Sequence, residues 1–208
     1  IIINFLAHLV NYLKNKKSIG VNFLNYENSE YSAVIVICNN RSGILKDIVQ
    51  GLSLSQINIL GSRIISLNNN HVIDVFWVCN SAQKALKEKN EQNRLIQNLT
   101  ASVEGIQIEA ISDLLNFKSN LEVTPKITID NKMSKNVTTY QILSRDRKGL
   151  LMDILNIFHK NHVSVQSAKI STYGEKVFDI FQITDIKNNK IKDADLIKSL
   201  EEQLIKVL

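Results

Sequence analysis

A chain of 208 residues is long enough to form one large domain or two small ones. Its hydrophobic share of 44% and charged share of 22% are those of an ordinary globular protein, which excludes a disordered or fibrous chain. The net charge of +5 comes from Lys and Arg residues spread over many segments, so it favours solubility over a dedicated nucleic-acid-binding block.

The first segment, "IIINFLAHLVNYL", predicts a helix within residues 1–16. This apolar stretch stops at Lys14, short of the roughly 20 apolar residues that a membrane span needs, so we predict no membrane partner. Cys38 and Cys79 are too few for a disulfide scaffold and lack metal-ligand spacing. The sequence therefore predicts a cytoplasmic protein without a metal site or cofactor.

One motif occurs twice: "NNRSGILKDI" at residues 39–48 and "RDRKGLLMDI" at residues 145–154. At an offset of 106, identical residues fall on each other at Arg41/Arg147, Gly43/Gly149, Leu45/Leu151, Asp47/Asp153, Ile48/Ile154 and Ile64/Ile170. Two later pairs, Asp74/Asp179 and Phe76/Phe181, match at an offset of 105, with the extra residue in the Asn-rich turn of the first copy. The chain therefore contains two copies of one unit.

Each copy begins with a β-branched apolar run, at 32–38 and at 137–143, followed by a polar loop that ends in Gly. Apolar residues at helical spacing come next, then a hairpin of two alternating runs, then a second helix. The order strand, helix, strand, strand, helix is a split βαβ unit. The sequence thus predicts an α+β chain of two tandem ferredoxin-like (βαββαβ) units, preceded by the N-terminal helix.

The last strand of the pattern differs between the copies. "IQIEAI" at 106–111 is predicted to complete the first sheet, whereas the second copy reaches Leu208 without an equivalent strand. We predict that "VTPKITI" at 123–129 takes the vacant edge, where Pro125 costs no ladder hydrogen bond.

This pattern divides the chain into four segments. They are residues 1–31, an N-terminal helix and strand that form the tail of an upstream domain; 32–111, the first ferredoxin-like domain; 112–136, an extended connector; and 137–208, the second domain.

The stretches "RDRKGLLMDI", "SAKISTYGEKVFDIFQITD" and "TPKITIDNKMS" resemble the C-terminal region of bacterial PII uridylyltransferase/uridylyl-removing enzymes. The resemblance implies two tandem ACT domains, which sense amino acids, with glutamine as the sensed amino acid in this family. It also implies nitrogen metabolism, pairing of ACT domains within or between chains, and the enzyme's catalytic domains or a PII protein as partners. The sequence has no His-Asp pair, P-loop or other catalytic motif, so we expect no catalysis by this chain.

The Gly between strand and helix permits a tight turn, and the helix that follows presents unpaired N–H groups to a carboxylate. A nearby acidic side chain, Asp146, complements the ammonium group of an amino acid, whereas the first copy has Asn40 instead. The candidate ligand-binding residues are Asp146, Arg147, Gly149 and Leu150 in the second copy and Asn40, Arg41 and Gly43 in the first. The second copy is the better candidate because it keeps the carboxylate.

Two other interpretations stay open. The repeats could form a degenerate pairing module that binds no ligand, in which the Gly merely turns the chain. The same sandwich also serves RNA-binding proteins, with Phe76, Trp77, Phe178 and Phe181 as stacking residues, although a basic RNP-type run is absent. For Asp74 and Asp179, the simpler interpretation is a solvated carboxylate on the water-facing side of a sheet, and ligand contact is the alternative.

Overall fold

The structure, a computed structural model, describes Tyr12 and residues 18–67, 70–106 and 123–208. The chain forms two compact units, with unit 1 from Ile1 to Ala110 and unit 2 from Ile111 to Leu208. The predicted N-terminal helix, apart from Tyr12, and the predicted strand 106–111, apart from Ile106, lie outside the described residues. The α+β class that the sequence predicts is confirmed.

Unit 1 consists of β1 (Ile19–Asn25), β2 (Ser32–Asn39), α1 (Ile44–Leu54), β3 (Asn58–Ser66), β4 (His71–Cys79) and α2 (Lys89–Val103). Its strands pair in the order β1-β2-β4-β3, and every pairing is antiparallel. The segment from β2 to α2 has the predicted order of strand, helix, hairpin and helix.

Unit 2 repeats this architecture with β5 (Lys126–Asp130), β6 (Thr138–Arg145), α3 (Leu150–Lys160), β7 (Val163–Tyr173), β8 (Lys176–Asp185) and α4 (Ala194–Ile205). Its strands pair antiparallel in the order β5-β6-β8-β7. The prediction that residues 123–129 supply an edge strand is confirmed, because β5 lies beside β6 with Lys126 opposite Leu143. Pro125 lies immediately before this strand, where its missing N–H removes no ladder bond.

The same edge in unit 1 is filled by β1, which pairs with β2 from Ile19 opposite Cys38 to Asn25 opposite Ser32. Residues 106–111 were predicted to complete this sheet, and the strand within 1–31 was predicted to belong to an upstream domain. The structure instead gives both units an edge strand that precedes the repeat. Alternation identifies β1 as a strand, but it carries no information about which neighbour that strand pairs with.

The helices of unit 2 lie on one face of its sheet. Phe158 of α3 contacts Phe181 of β8 edge-to-face at a centroid distance of 5.4 Å, and the Tyr140 hydroxyl donates to the carbonyl of Ile197 in α4. In unit 1 the sheet face opposite the helices is also covered, since Tyr12 packs with Ile35 and Ile37 in a buried cluster. No helix among the described residues is long and apolar enough to cross a membrane.

Asp74 and Asp179 lie inside the two units. Asp74 lies on the same strand face as buried Phe76, and Asp179 lies on the same strand face as buried Phe181. The exposed fractions of the two aspartates are 0% and 2%. The expectation of solvated carboxylates was therefore wrong. The alternation of residues along a strand does not say which of its two faces is buried. In unit 1 both faces of the sheet carry apolar residues, so the sequence offers no polar face that would indicate the solvent side.

Candidate functional site

The glycine elbows, defined as residues 40–43 and 146–149, connect the first strand of each repeat to its first helix. Gly43 and Gly149 are the N-cap residues of α1 and α3 and have φ values of 79° and 83°. Residues with a Cβ rarely adopt this left-handed conformation, which explains the repeated Gly. A Cβ at Gly149 would have no atom within 4 Å, so the conformation, rather than a close approach within the chain, requires this Gly.

Each elbow is fixed by the hairpin of its own unit. The N–H of Asn40 donates to the carbonyl of Asn70 at 2.8 Å, and the N–H of Asp146 donates to the carbonyl of Glu175 at the same distance. The same hydrogen bond occurs in both units, so each elbow is held by the backbone of its own unit. Its backbone is therefore preorganised before any ligand binds.

An arginine holds each elbow from the other side. Arg147 Nη2 donates to Asp153 Oδ2 at 2.6 Å and to the carbonyl of Val207 at 2.7 Å, which links the elbow, the first turn of α3 and the residues after α4.

Unit 1 repeats this arginine clamp. Arg41 Nη2 lies 2.6 Å from Asp47 Oδ2 and 2.8 Å from the carbonyl of Val103 at the end of α2. Sequence reasoning placed both arginines near a ligand but missed these partners, although the duplicated Asp47/Asp153 pair was a signal for them.

The first helix of each repeat begins at a glycine, which has no side chain to cap it. Neither α1 nor α3 has a side chain that caps its first N–H groups. The N–H of Leu150 donates to the carbonyl of Arg147, which closes the turn, while the Leu150 side chain is only 3% exposed and packs in the core. An uncapped helix start with positive electrostatic potential suits a carboxylate.

Asp146 supplies a negative charge beside these donors. It is exposed as a residue, but partial removal of its carboxyl from water raises its pKa above the ordinary value, and the N–H of Arg147 opposes that rise. The corresponding residue in unit 1, Asn40, is half-buried and uncharged. The elbow of unit 2 therefore has a carboxylate beside a helix start, and the elbow of unit 1 does not.

Asp179 adds a second carboxyl close to the elbow of unit 2. Burial raises its pKa to about 7, the N–H of Ser171 partly opposes the rise, and the charge of Asp146 adds to it. Asp179 Oδ1 accepts a hydrogen bond from that N–H at 3.2 Å. The two carboxyls are thus coupled electrostatically, so a cation at Asp146 also favours the charged form of Asp179.

Asp74 is the equivalent residue in unit 1, and its environment is less polar. Burial raises its pKa to about 8, although the backbone N–H of Ile65 favours the charged form. Within the described part of the chain, neither Asp74 oxygen has a hydrogen bond of normal geometry. Burial, followed by the nearby Asp74 carboxyl, also raises the pKa of the Cys38 thiol to about 12. At neutral pH both groups are therefore mainly protonated.

Residues 133–207 match the family model of the ACR family N-terminal ACT domain. The chain is also similar to bifunctional uridylyltransferase/uridylyl-removing enzymes. The one from Azospirillum brasilense is 26% identical over 203 residues, which cover 94% of this chain and 22% of the relative. The one from Pseudomonas savastanoi pv. phaseolicola is 30% identical over 168 residues, which cover 77% of this chain and 18% of the relative. The chain spans about a fifth of the length of the relatives it matches.

Among solved structures, the aspartate kinase from Synechocystis matches with a TM-score of 0.47 and 16% identity, covering 85% of this chain and 27% of the kinase.

Proposed function

We propose that the tandem ferredoxin-like ACT domains of this chain form an amino-acid-sensing regulatory region of a uridylyltransferase/uridylyl-removing enzyme, with glutamine as the sensed amino acid. The match of residues 133–207 to an ACT-domain model supports the domain type, and the similarity over most of the chain supports the kind of enzyme. The choice of glutamine comes from the family resemblance, since the elbow itself recognises the groups that all amino acids share.

The elbow of unit 2 is the observation that carries this proposal. Its uncapped helix start offers N–H donors to the α-carboxylate, and Asp146 offers a carboxylate to the α-ammonium group. The arginine clamp and the hairpin hydrogen bond hold both groups in place, so little order has to be created on binding.

Regulation requires that the amino acid bind one domain arrangement more tightly than another. Uridylylation and deuridylylation of a PII protein would then take place on catalytic domains, and this chain would report the level of the amino acid to them.

The arginine clamp favours a second candidate, a pairing module that binds no ligand. Because Arg147 and Arg41 are already bonded to protein groups, the duplicated elbow has a structural purpose that needs no amino acid. The RNA-binding interpretation loses two of its four predicted stacking residues, because Phe76 and Phe181 are fully buried in the cores. Trp77 is half-buried and Phe178 is 40% exposed, so only these two remain accessible.

Titration calorimetry of the full chain tests the sensor. We expect saturable binding of glutamine, and we expect Asp146→Asn to weaken it by roughly tenfold through loss of the ammonium partner. A glutamine analogue that lacks the α-amino group is the matched control, because its affinity should be the same for the wild type and the variant. If glutamine at tens of millimolar gave no saturable heat, the sensor would be rejected and the pairing module would remain.

A further inference from the structure

Unit 2 contains a polar pocket at the end of its sheet opposite the elbow. It lies between the turn that joins β5 to β6 and the connection from β8 to α4, and its volume is about 370 Å³. This is within the range of small-molecule sites, roughly 300 to 1,000 Å³. The pocket is lined by Lys135, Asn136, Asn188, Asn189, Lys190 and Lys192, and we call it the basic pocket.

Hydrogen bonds tie the two walls of the basic pocket together. Lys190 Nζ crosses from one wall to the other and donates to the carbonyls of Asn131 and Ser134 at 2.6 and 2.5 Å. Asn131 returns the contact, since its Nδ2 donates to the carbonyl of Ile191 at 2.9 Å. The spacing between the walls is therefore set by the protein itself, and one N–H of the Lys190 ammonium group is left to donate.

The wall formed by the β8–α4 connection is also fixed. The Asp185 carboxylate accepts the N–H groups of Lys187 and Asn189 at 2.8 and 2.7 Å, which holds the turn. Gln166 Nε2 donates to Asn188 Oδ1 at 2.8 Å. This bond fixes the orientation of the Asn188 amide, and its Nδ2 donates no hydrogen bond among the residues that the structure describes.

The lining has one sign of charge. Three lysines and no acidic residue line the pocket, and Lys135 and Lys192 form no ion pair among the residues that the structure describes. The charge does not follow from the fold, because the corresponding β1–β2 turn of unit 1 carries Glu27 and Glu30. Two nearby carboxylates oppose an anion: Asp130, close to Lys190, and Asp185, which is bonded to Asn189 of the lining.

We infer that the basic pocket binds a phosphate-type oxyanion, either free or as the phosphate group of a larger molecule. Phosphate oxygens only accept hydrogen bonds, and the ammonium groups and amide N–H groups of the lining are the donors that such oxygens need. The walls are preorganised, so binding requires little ordering beyond the two exposed lysines. This site is separate from the elbow and stands whether or not the elbow binds an amino acid.

The test is a titration of the full chain with inorganic pyrophosphate at constant ionic strength, followed by calorimetry and by amide chemical shifts of residues 131–137 and 186–192. The double variant Lys135→Glu/Lys192→Glu reverses two charges in the pocket. The matched control Lys160→Glu/Lys169→Glu makes the same charge change at exposed positions elsewhere in unit 2. We expect one site per chain, a loss of roughly tenfold or more in the pocket variant, and little change in the control.

A nucleoside triphosphate and inorganic tripolyphosphate, titrated in parallel, identify the source of the anion. If the nucleotide and tripolyphosphate bind with equal affinity, the ligand is a free phosphate-type anion. If the nucleotide binds more tightly, the ligand is a larger molecule that carries a phosphate group. Absence of saturable pyrophosphate binding, an equal loss in both double variants, or tighter binding of an acidic peptide than of tripolyphosphate would each overturn the inference.

Discussion

Arg147 and Asp153 form the closest ion pair of the second elbow, with Nη2 and Oδ2 only 2.6 Å apart. The same guanidinium donates to the carbonyl of Val207, so a single side chain connects three segments of unit 2. Arg41 makes the equivalent contacts in unit 1. The motif that defines the repeat is thus a structural clamp around the loop that precedes the first helix of each unit.

Removal of the clamp should destabilise unit 2 moderately. Both partners are about 40% exposed, so the ion pair contributes at most about 1 kcal/mol, and the bond to the Val207 carbonyl adds about 1 kcal/mol. We therefore expect Arg147→Ala to lower the free energy of unfolding in urea by about 1–2 kcal/mol. Arg145→Ala, which removes a longer 3.9 Å pair with Glu175, is the control and should cost less. An equal loss in both variants would contradict the clamp.

Asp74 should make the stability of the protein depend on pH. Its folded pKa of about 8 lies above its ordinary value of 3.8, so the folded state binds the proton more tightly than the unfolded state. The contribution of Asp74 to stability is therefore fully present below pH about 4 and is lost as the pH rises through about 8, by an amount on the order of a few kcal/mol.

The Asp74→Asn variant tests this dependence because it keeps the shape and removes the titration. We expect the variant to gain on the wild type as the pH rises from 5 to 9 in urea unfolding. The exposed Asp195→Asn variant controls for the loss of one charge. A difference between wild type and Asp74→Asn that stays constant from pH 5 to pH 9 would rule out the buried carboxyl as its source.

The coupling between Asp146 and Asp179 can be measured directly. The negative charge of Asp146 raises the pKa of Asp179, so Asp146→Asn should lower that pKa below about 7. The carboxyl carbon of Asp179, followed by NMR between pH 4 and pH 9, reports the change. The Asn40→Ala variant in unit 1 should leave this titration unchanged. An upward shift in Asp146→Asn would show that the two groups are not coupled as described.

The conformation of Gly149 predicts an unusual order of tolerance. With φ at 83° and open space around the absent Cβ, Gly149→Ala should cost about 1–2 kcal/mol from backbone strain alone. Gly149→Asn should cost less, because Asn adopts the left-handed region more readily.

Gly51 of α1 provides the contrast. Its added Cβ would lie 2.8 Å from the backbone Cα of Leu99, so Gly51→Ala is disfavoured by packing despite the better helix propensity of Ala.

For the Gly149 variants, thermal unfolding should rank Gly149→Asn above Gly149→Ala in stability. Equal costs for these two variants would mean that φ does not govern this position.

The sequence by itself determined that the chain contains two copies of a split βαβ unit and that residues 123–129 include an edge strand. These features are local, because helix and strand periods, Gly at a left-handed turn and the identity of repeated residues can all be read along the chain. The candidate elbow residues could be predicted for the same reason, since Asp146, Arg147 and Gly149 lie within four residues of one motif.

Only the tertiary structure decided which way the strands face and what the elbow side chains contact. Asp74 and Asp179 face the cores because their strands are covered by helices on that side, and a two-residue period is the same for either face. The edge position of β1 and the bonds from the arginines to the Val103 and Val207 carbonyls join segments far apart in sequence. Such pairings depend on how apolar surface is buried across the whole unit, which no local pattern specifies.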